Sequence, residues 1–260
     1  MQDRYVGDVG DFGKFGLLRS LCGFKNQKPR LNLSVIWYRT IPESKESSVN
    51  DGKHRSYLNK PQEYRSCDSE LFDKMEIFHD KKHRSLQAVR SSGILSFSTK
   101  YYEEELSFFE KTVHGSDSTE NRRAIRQNWL AGALESCRSS DLIFLDPDNG
   151  LEIQSVSPTN KRGPKYVSEE ELKSLLKYSG QSIILYQHGK RNKDFMKENL
   201  GRISKICTDR KPFALLYKRG TQRAFIIIPS AESHTLLLHR TKVFLSSEWH
   251  NHFAPEIFFP

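Results

Sequence analysis

Cysteine is scarce in this chain. Cys22, Cys67, Cys137 and Cys207 are widely spread over 260 residues and form no CxxC pair, which excludes paired-cysteine metal spacing and argues against a disulfide scaffold. No apolar run approaches the ~20 residues that a membrane span needs. The opening residues, MQDRYVGDVGDFG, are acidic and glycine-rich and lack the apolar centre of a signal peptide. Internal repeats and low-complexity tracts are missing. So are the common phosphate loops: there is no Walker sequence, and no GxGxxG follows the first strand pattern. The expectation is a cytoplasmic protein with no membrane association.

Hydrophobic residues make up 36% and charged residues 28% of the chain, a balance that belongs to a globular rather than a disordered protein. The formal charge is +9, which favours a polyanionic partner such as nucleic acid or a nucleotide. Its distribution is uneven. Between Tyr186 and Arg223 stand eleven Lys and Arg against three Asp and Glu, so this segment carries eight of the nine excess charges. Lys190, Arg191, Lys193 and Lys197 are the candidates nearest its start, and Lys161, Arg162 and Lys165 form a smaller basic group in a Gly/Pro-containing loop.

Hydrophobic spacing gives the elements. Phe12, Phe15, Leu18 and Cys22 predict a helix over 11–23 with Asp11 as N-cap. Residues 31–38 (LNLSVIWY) read as a buried strand, followed by a polar insertion near 40–66. Residues 69–91 place apolar side chains on one helical face, and 93–98 read as a short strand. The stripe Ile125, Trp129, Ala133, Leu134, Cys137 predicts a helix over 120–137, and Leu142–Leu145 a buried strand. Ser168 and Glu171 form a capping box that opens a helix over 168–178. A strand over 182–187, a basic helix over 192–207 and a hairpin of 213–217 with 224–228 complete the pattern. The aromatic tail, 240–260, is expected to pack back on the body. Continuous apolar strands alternating with helices imply a mostly parallel sheet covered on both faces. The fold class is therefore α/β: one Rossmann-like domain over 1–260 with a C-terminal antiparallel hairpin.

Ligands of such sheets bind at the carboxyl ends of the strands, and three strand ends here are polar. One leads to Asp51, Lys53 and His54. The second runs into Asp146-Pro147-Asp148-Asn149 with Glu152 close behind. The third ends Tyr186-Gln187-His188. Ordinary roles exist for each: Asp and Asn end strands and cap helices, and a histidine at a strand end is often a hydrogen-bonded core residue. Their expected convergence makes Asp146, Asp148, Asn149 and His188 candidate catalytic residues. The segment from Gly7 to Lys14 joins them: its glycines allow close backbone approach to a ligand, and Asp8, Asp11 and Lys14 cluster at a helix start.

Tyr5-Val6-Gly7-Asp8-Val9-Gly10-Asp11-Phe12-Gly13-Lys14 resembles the N-terminal motif of the bacterial large-subunit ribosomal RNA adenine methyltransferases of the J type, in which Gly-Asn, Ala-Asp and Lys recur at this spacing. Asp146-Pro147-Asp148-Asn149 resembles that family's Asp-Pro-Pro-Tyr motif, which holds the target amino group. Most of the chain is also similar to a bacterial and phage group with GDxGDFGK and DPDNGLE motifs, a likeness that implies no activity. The first resemblance implies a Rossmann-like methyltransferase using S-adenosylmethionine, with Asp8, Asp11 and the strand end Trp37-Tyr38 at the cofactor and Lys14 in the catalytic group. The family's glycine turn is absent after Trp37-Tyr38-Arg39, and the target motif lacks its second proline and its aromatic residue.

Three functions stay open on the sequence. The first is methyl transfer to nucleic acid, with Asp146 accepting from the target amino group. The second is a magnesium-dependent nuclease or phosphotransfer enzyme, with Asp8, Asp11, Asp146, Asp148 and Glu152 as hard oxygen ligands. The third is a catalytically inactive nucleic-acid-binding protein on the same fold.

Overall fold

The computed structural model describes residues 3–24, 27–40, 54–108, 118–189 and 194–260. In chain order, helix α1 (Val9–Leu21) precedes strand β1 (Leu33–Trp37). Three short helices follow, α2 (Pro61–Tyr64), α3 (Ser69–Met75) and α4 (Leu86–Ser91), then β2 (Lys100–Tyr102) and α5 (Thr119–Cys137). Next come β3 (Leu142–Asp146), the two-residue strands β4 (Gly150–Leu151) and β5 (Tyr166–Val167), and α6 (Glu169–Ser179). The chain ends with β6 (Ser182–His188), α7 (Phe195–Ile206), β7 (Phe213–Tyr217), β8 (Arg223–Ile228) and α8 (His234–Leu245). No helix of the described residues is long and apolar enough to cross a membrane.

Six strands form one sheet in the order β2-β1-β3-β6-β8-β7. The first four are parallel, β8 runs antiparallel to β6, and β7 pairs antiparallel with β8. The expected α/β class with its terminal antiparallel hairpin is therefore the observed one. Strands β1, β3 and β8 are buried along their whole length, as unbroken apolar strands require when helices cover both faces. One face carries α1, α3, α8 and the aromatic tail, where Trp249 lies 4.9 Å from Phe12 and Phe253 4.9 Å from Tyr217, ring centre to ring centre. The other carries α5, α6 and α7.

Several local expectations change. The N-cap of α1 is Asp8, whose carboxylate accepts from the Asp11 backbone N–H, so Asp11 lies inside the first turn. Residues 69–91 are not one helix: two 3-10 turns, Glu76–His79 and Lys81–His83, separate α3 from α4. No strand forms over 93–98. The edge strand begins at Lys100, because Gly93 has a positive φ of 65° and breaks the extended path. Of the polar insertion, 41–53 lies outside the described residues, while Tyr57, Leu58 and Tyr64 fold into the core. The basic helix starts at Phe195, and 190–193 lie outside the described residues. Helix α8 has no counterpart in the sequence reading.

The glycines of α1 serve packing, and Gly10 also lines the cavity described below. A Cβ on Gly10 would stand 2.3 Å from the Arg223 guanidinium, one on Gly13 2.5 Å from the Tyr217 ring, and one on Gly16 2.2 Å from Trp249. This stripe lets the helix lie directly on β7, β8 and the tail. Tyr217 has no room to yield, since it is buried and its hydroxyl donates to the Val9 carbonyl at 2.7 Å. Gly13→Ala should therefore destabilise the fold by about 1–3 kcal/mol. Urea titration would read this as a lower midpoint, and an unchanged midpoint would contradict the close packing.

Candidate functional site

The strand order reverses between β1 and β3, the position at which open α/β sheets bind ligands. A cavity of about 440 Å³ opens at this end of the sheet. Its lining includes Asp8, Asp11 and Lys14 from α1 and its cap, Asp146, Asp148 and Asn149 from the end of β3, and Tyr186 and His188 from β6. Arg223, Arg162, Lys165, Tyr166 and His54 complete the charged and aromatic wall. The motifs separated by 132 residues in sequence thus meet in one site.

At its floor the Lys14 ammonium donates to Asp11 Oδ1 and to Asp146 Oδ2, both at 2.8 Å. All three side chains are at most 5% exposed. The second Asp11 oxygen accepts from the Gly7 N–H at 2.9 Å, and the aromatic rings of Tyr186, Phe15 and Phe144 lie 5.6–6.0 Å from the ammonium. One lysine ammonium is shared by the two carboxylates. Burial holds both Asp11 and Asp146 above the ordinary carboxylate range, with the attraction of Lys14 opposing it. Lys14 is held firmly charged: its burial is outweighed by the two carboxylates. Beside them Asp8 pairs with Arg223 at 2.8 Å, and Arg223 also donates to the Tyr186 hydroxyl at 3.2 Å.

The loop after β3 is built by hydrogen bonds around Gln187. Its side chain accepts from the Leu151 N–H and donates to the Asn149 carbonyl. Gly150 takes a φ of 110° against it, and a Cβ there would lie 2.3 Å from the Gln187 amide. Asp148 accepts from Thr40 at 3.3 Å. A second anchor comes from α5. Arg126 makes a two-pronged bond to Glu171 and also donates to the carbonyls of Pro158 and Tyr166. That holds the 158–166 segment, with Arg162 and Lys165, on the cavity wall. Glu171 is at the same time the reciprocal partner in the expected Ser168 capping box. His188 lies beside the Tyr186 hydroxyl, and burial together with Arg223 lowers its pKa, keeping the ring neutral.

Some predicted site residues fall elsewhere. Trp37 and Tyr38 belong to the two cores: Trp37 stacks on Tyr101, and Tyr38 packs on Trp129 and donates to Glu171. Neither lines the cavity, because the strand stays buried to its end. Glu152 turns away and accepts from the Glu169 N–H. Lys161 and Lys197 are exposed outside the lining, and Lys190, Arg191, Lys193, Asp51 and Lys53 lie outside the described residues. Of the five carboxylates proposed for magnesium, Asp8, Asp11, Asp146 and Asp148 line the cavity, but Lys14 and Arg223 pair with three of them and Glu152 is outside the lining. Among the described residues no group of three or more His, Cys, Asp or Glu is arranged to hold a metal ion. Arg223 and Arg126 are the principal additions. A lone arginine opening the apolar run Ala224–Ile228 was the available signal for the first. Arg126 gave none, being one basic residue among several on its helix.

No protein-family model matches the chain, and no curated protein matches it in sequence. Fold and site chemistry therefore carry the functional conclusion.

Two outcomes follow from the shared ammonium. Lys14→Met leaves two buried carboxylates without their cation and should cost roughly 3–5 kcal/mol of stability. Asp146→Asn tests the pH term. A carboxyl whose folded pKa is raised stabilises the fold below its ordinary value, 3.8, and loses that contribution as pH rises through the folded value. Wild type should thus lose stability relative to Asp146→Asn as pH increases from about 4 toward neutrality. Urea midpoints across this range decide it, and a pH-independent difference would remove the raised pKa.

Proposed function

We propose that this protein is an enzyme acting on nucleic acid, a methyltransferase that uses S-adenosylmethionine and modifies an exocyclic amino group. The observation that carries the reading is the buried Asp11–Lys14–Asp146 group at the carboxyl end of β3, a strand that borders the point where the strand order reverses. The antiparallel β8 between two strands of opposite direction supports the fold side of the same reading.

The donor set fits the charged part of the cofactor. Carboxylates and cations alternate around the cavity, Asp8 beside Arg223 and Asp11 beside Lys14, which complements an amino acid bearing both ammonium and carboxylate. A negative group complements a sulfonium. The adenosine part is assigned to no described residue, since Trp37 and Tyr38 are enclosed in the core. When bound, the cofactor supplies an electrophilic methyl group.

The chain's own residues do the rest. Asp146, bonded by Lys14 at Oδ2, is the carboxylate this reading assigns to accept an amino N–H and turn the nitrogen lone pair outward. The nitrogen gains positive charge as its new bond forms, and the carboxylate that accepts from it stabilises that change more than the neutral ground state. Neutral His188, on the same cavity wall, is placed to take the departing proton. Arg162 and Lys165 on the cavity lining suit the phosphate backbone, and the excess of basic residues between Tyr186 and Arg223 favours the same polyanionic partner.

Calorimetric titration with S-adenosylmethionine, followed by transfer of labelled methyl to single- and double-stranded DNA and RNA, tests the reading. Heat of binding and label in nucleic acid are expected. Asp146→Asn should lower turnover by roughly 10²-fold or more while cofactor heat persists. Absence of both heat and label in the wild type would leave a binding protein and end the methyltransferase reading.

A further inference from the structure

The cavity is charged at its floor and is also lined by three tyrosines, Tyr5, Tyr166 and Tyr186. Tyr186 is buried, its hydroxyl engaged by Arg223, and Tyr5 packs against the core. Tyr166 is different. It is half-buried, lines the cavity and belongs to neither hydrophobic core, although the next residue, Val167, is fully buried.

Its backbone is nonetheless tightly held. Tyr166 pairs with Gly150 across the β4–β5 ribbon, and the Asn149 N–H donates to the Lys165 carbonyl at 3.0 Å. From the other side Arg126 donates to the Tyr166 carbonyl at 2.7 Å. The residue is thereby fastened to the Asp146-Pro147-Asp148-Asn149 turn, and its cross-strand neighbour, a glycine, has no side chain to lay over the ring. Four residues earlier, exposed Arg162 lines the same cavity. Its backbone N–H is fixed by the Asn160 side chain at 2.9 Å.

An aromatic residue on a tightly held backbone, an exposed arginine and the Asp146 carboxylate in one cavity are a set of contacts for one splayed nucleotide. Aromatic rings stack on bases whatever their identity, guanidinium groups match phosphate oxygens, and a base inside a duplex presents no free face. We propose that the 162–166 segment is a nucleotide-reading lip: Tyr166 stacks on an unpaired base, Arg162 holds its phosphate, and the ligand is single-stranded or locally unpaired nucleic acid. This rests on the nucleic-acid reading above and names its substrate class. It does not depend on methyl transfer.

The probe is a short single strand carrying one 2-aminopurine, whose fluorescence falls on stacking, and the same strand annealed to its complement. Wild type should quench the single strand and bind it at least about ten-fold more tightly than the duplex. Tyr166→Ala and Tyr166→Leu should each lose about ten-fold in affinity together with the quench. Tyr166→Phe should keep both, which separates stacking from a folding defect. Arg162→Ala should keep the quench but reduce the salt slope by about one. Equal affinity for duplex, or unchanged quench in both Tyr166→Ala and Tyr166→Leu, overturns the lip. Labelled methyl transfer that survives in those variants would remove the lip and leave the methyltransferase. Quenching without any transfer in the wild type would do the reverse.

Discussion

One ammonium shared by two buried carboxylates fixes the relation between the N-terminal helix and the sheet. Lys14 reaches from α1 to Asp146, 132 residues later, and both groups are sealed from water. An ion in that position has no tolerable alternative to its partner, because desolvation without pairing costs several kcal/mol for each charge. The helix therefore cannot shift along the sheet edge, and the cavity inherits its floor from that constraint. The same interaction leaves two carboxylates grouped at the floor, both held above the ordinary carboxylate range by burial.

The glycine stripe makes this ion pair geometrically accessible. Lys14 meets Asp146 only if the axis of α1 comes close to β7 and β8, and Gly10, Gly13 and Gly16 permit that approach. Each residue in the stripe lies under a large or charged group, Arg223, Tyr217 or Trp249. Arg223 then closes the arrangement through Asp8, the helix cap. Cap, stripe and ion pair thus form one mechanical unit in which the aspartates act as much on architecture as on chemistry.

The α/β class, the hairpin and the capping box were legible in the sequence, because apolar runs of strand length separated by amphipathic stretches have few other solutions. The grouping of Lys14 with Asp146 was legible too, through the rule that polar strand ends gather at one edge. What misled was local. Glycine next to aspartate reads as a ligand loop when the partner surface is unknown, yet Gly10 and Gly13 meet side chains of the protein itself. Trp37 and Tyr38 sit where a cofactor turn belongs in related folds, but nothing local reveals that Tyr101 covers the first and Trp129 of α5 the second. Glu152 illustrates the limit of spacing: six residues after Asp146, it is carried away by the β4–β5 ribbon. Arg126 was invisible because its role depends on Glu171 and on carbonyls 32 and 40 residues away.

The ribbon is also what turns a strand end into a site. A plain turn after Asp146 would leave Asp148 and Asn149 free to reorient. Instead Gln187 grips both ends of the 149–151 segment, β5 pairs beside it, and Arg126 fastens β5 to the opposite layer. Three elements, β6, α5 and α6, hold this loop by polar bonds, and its buried Leu151 and Val167 anchor it in the apolar core. The polar bonds add to that burial a fixed geometry at the strand end. A loop needed only to connect β3 with α6 has no use for it, whereas a group that must meet a ligand at fixed distance does.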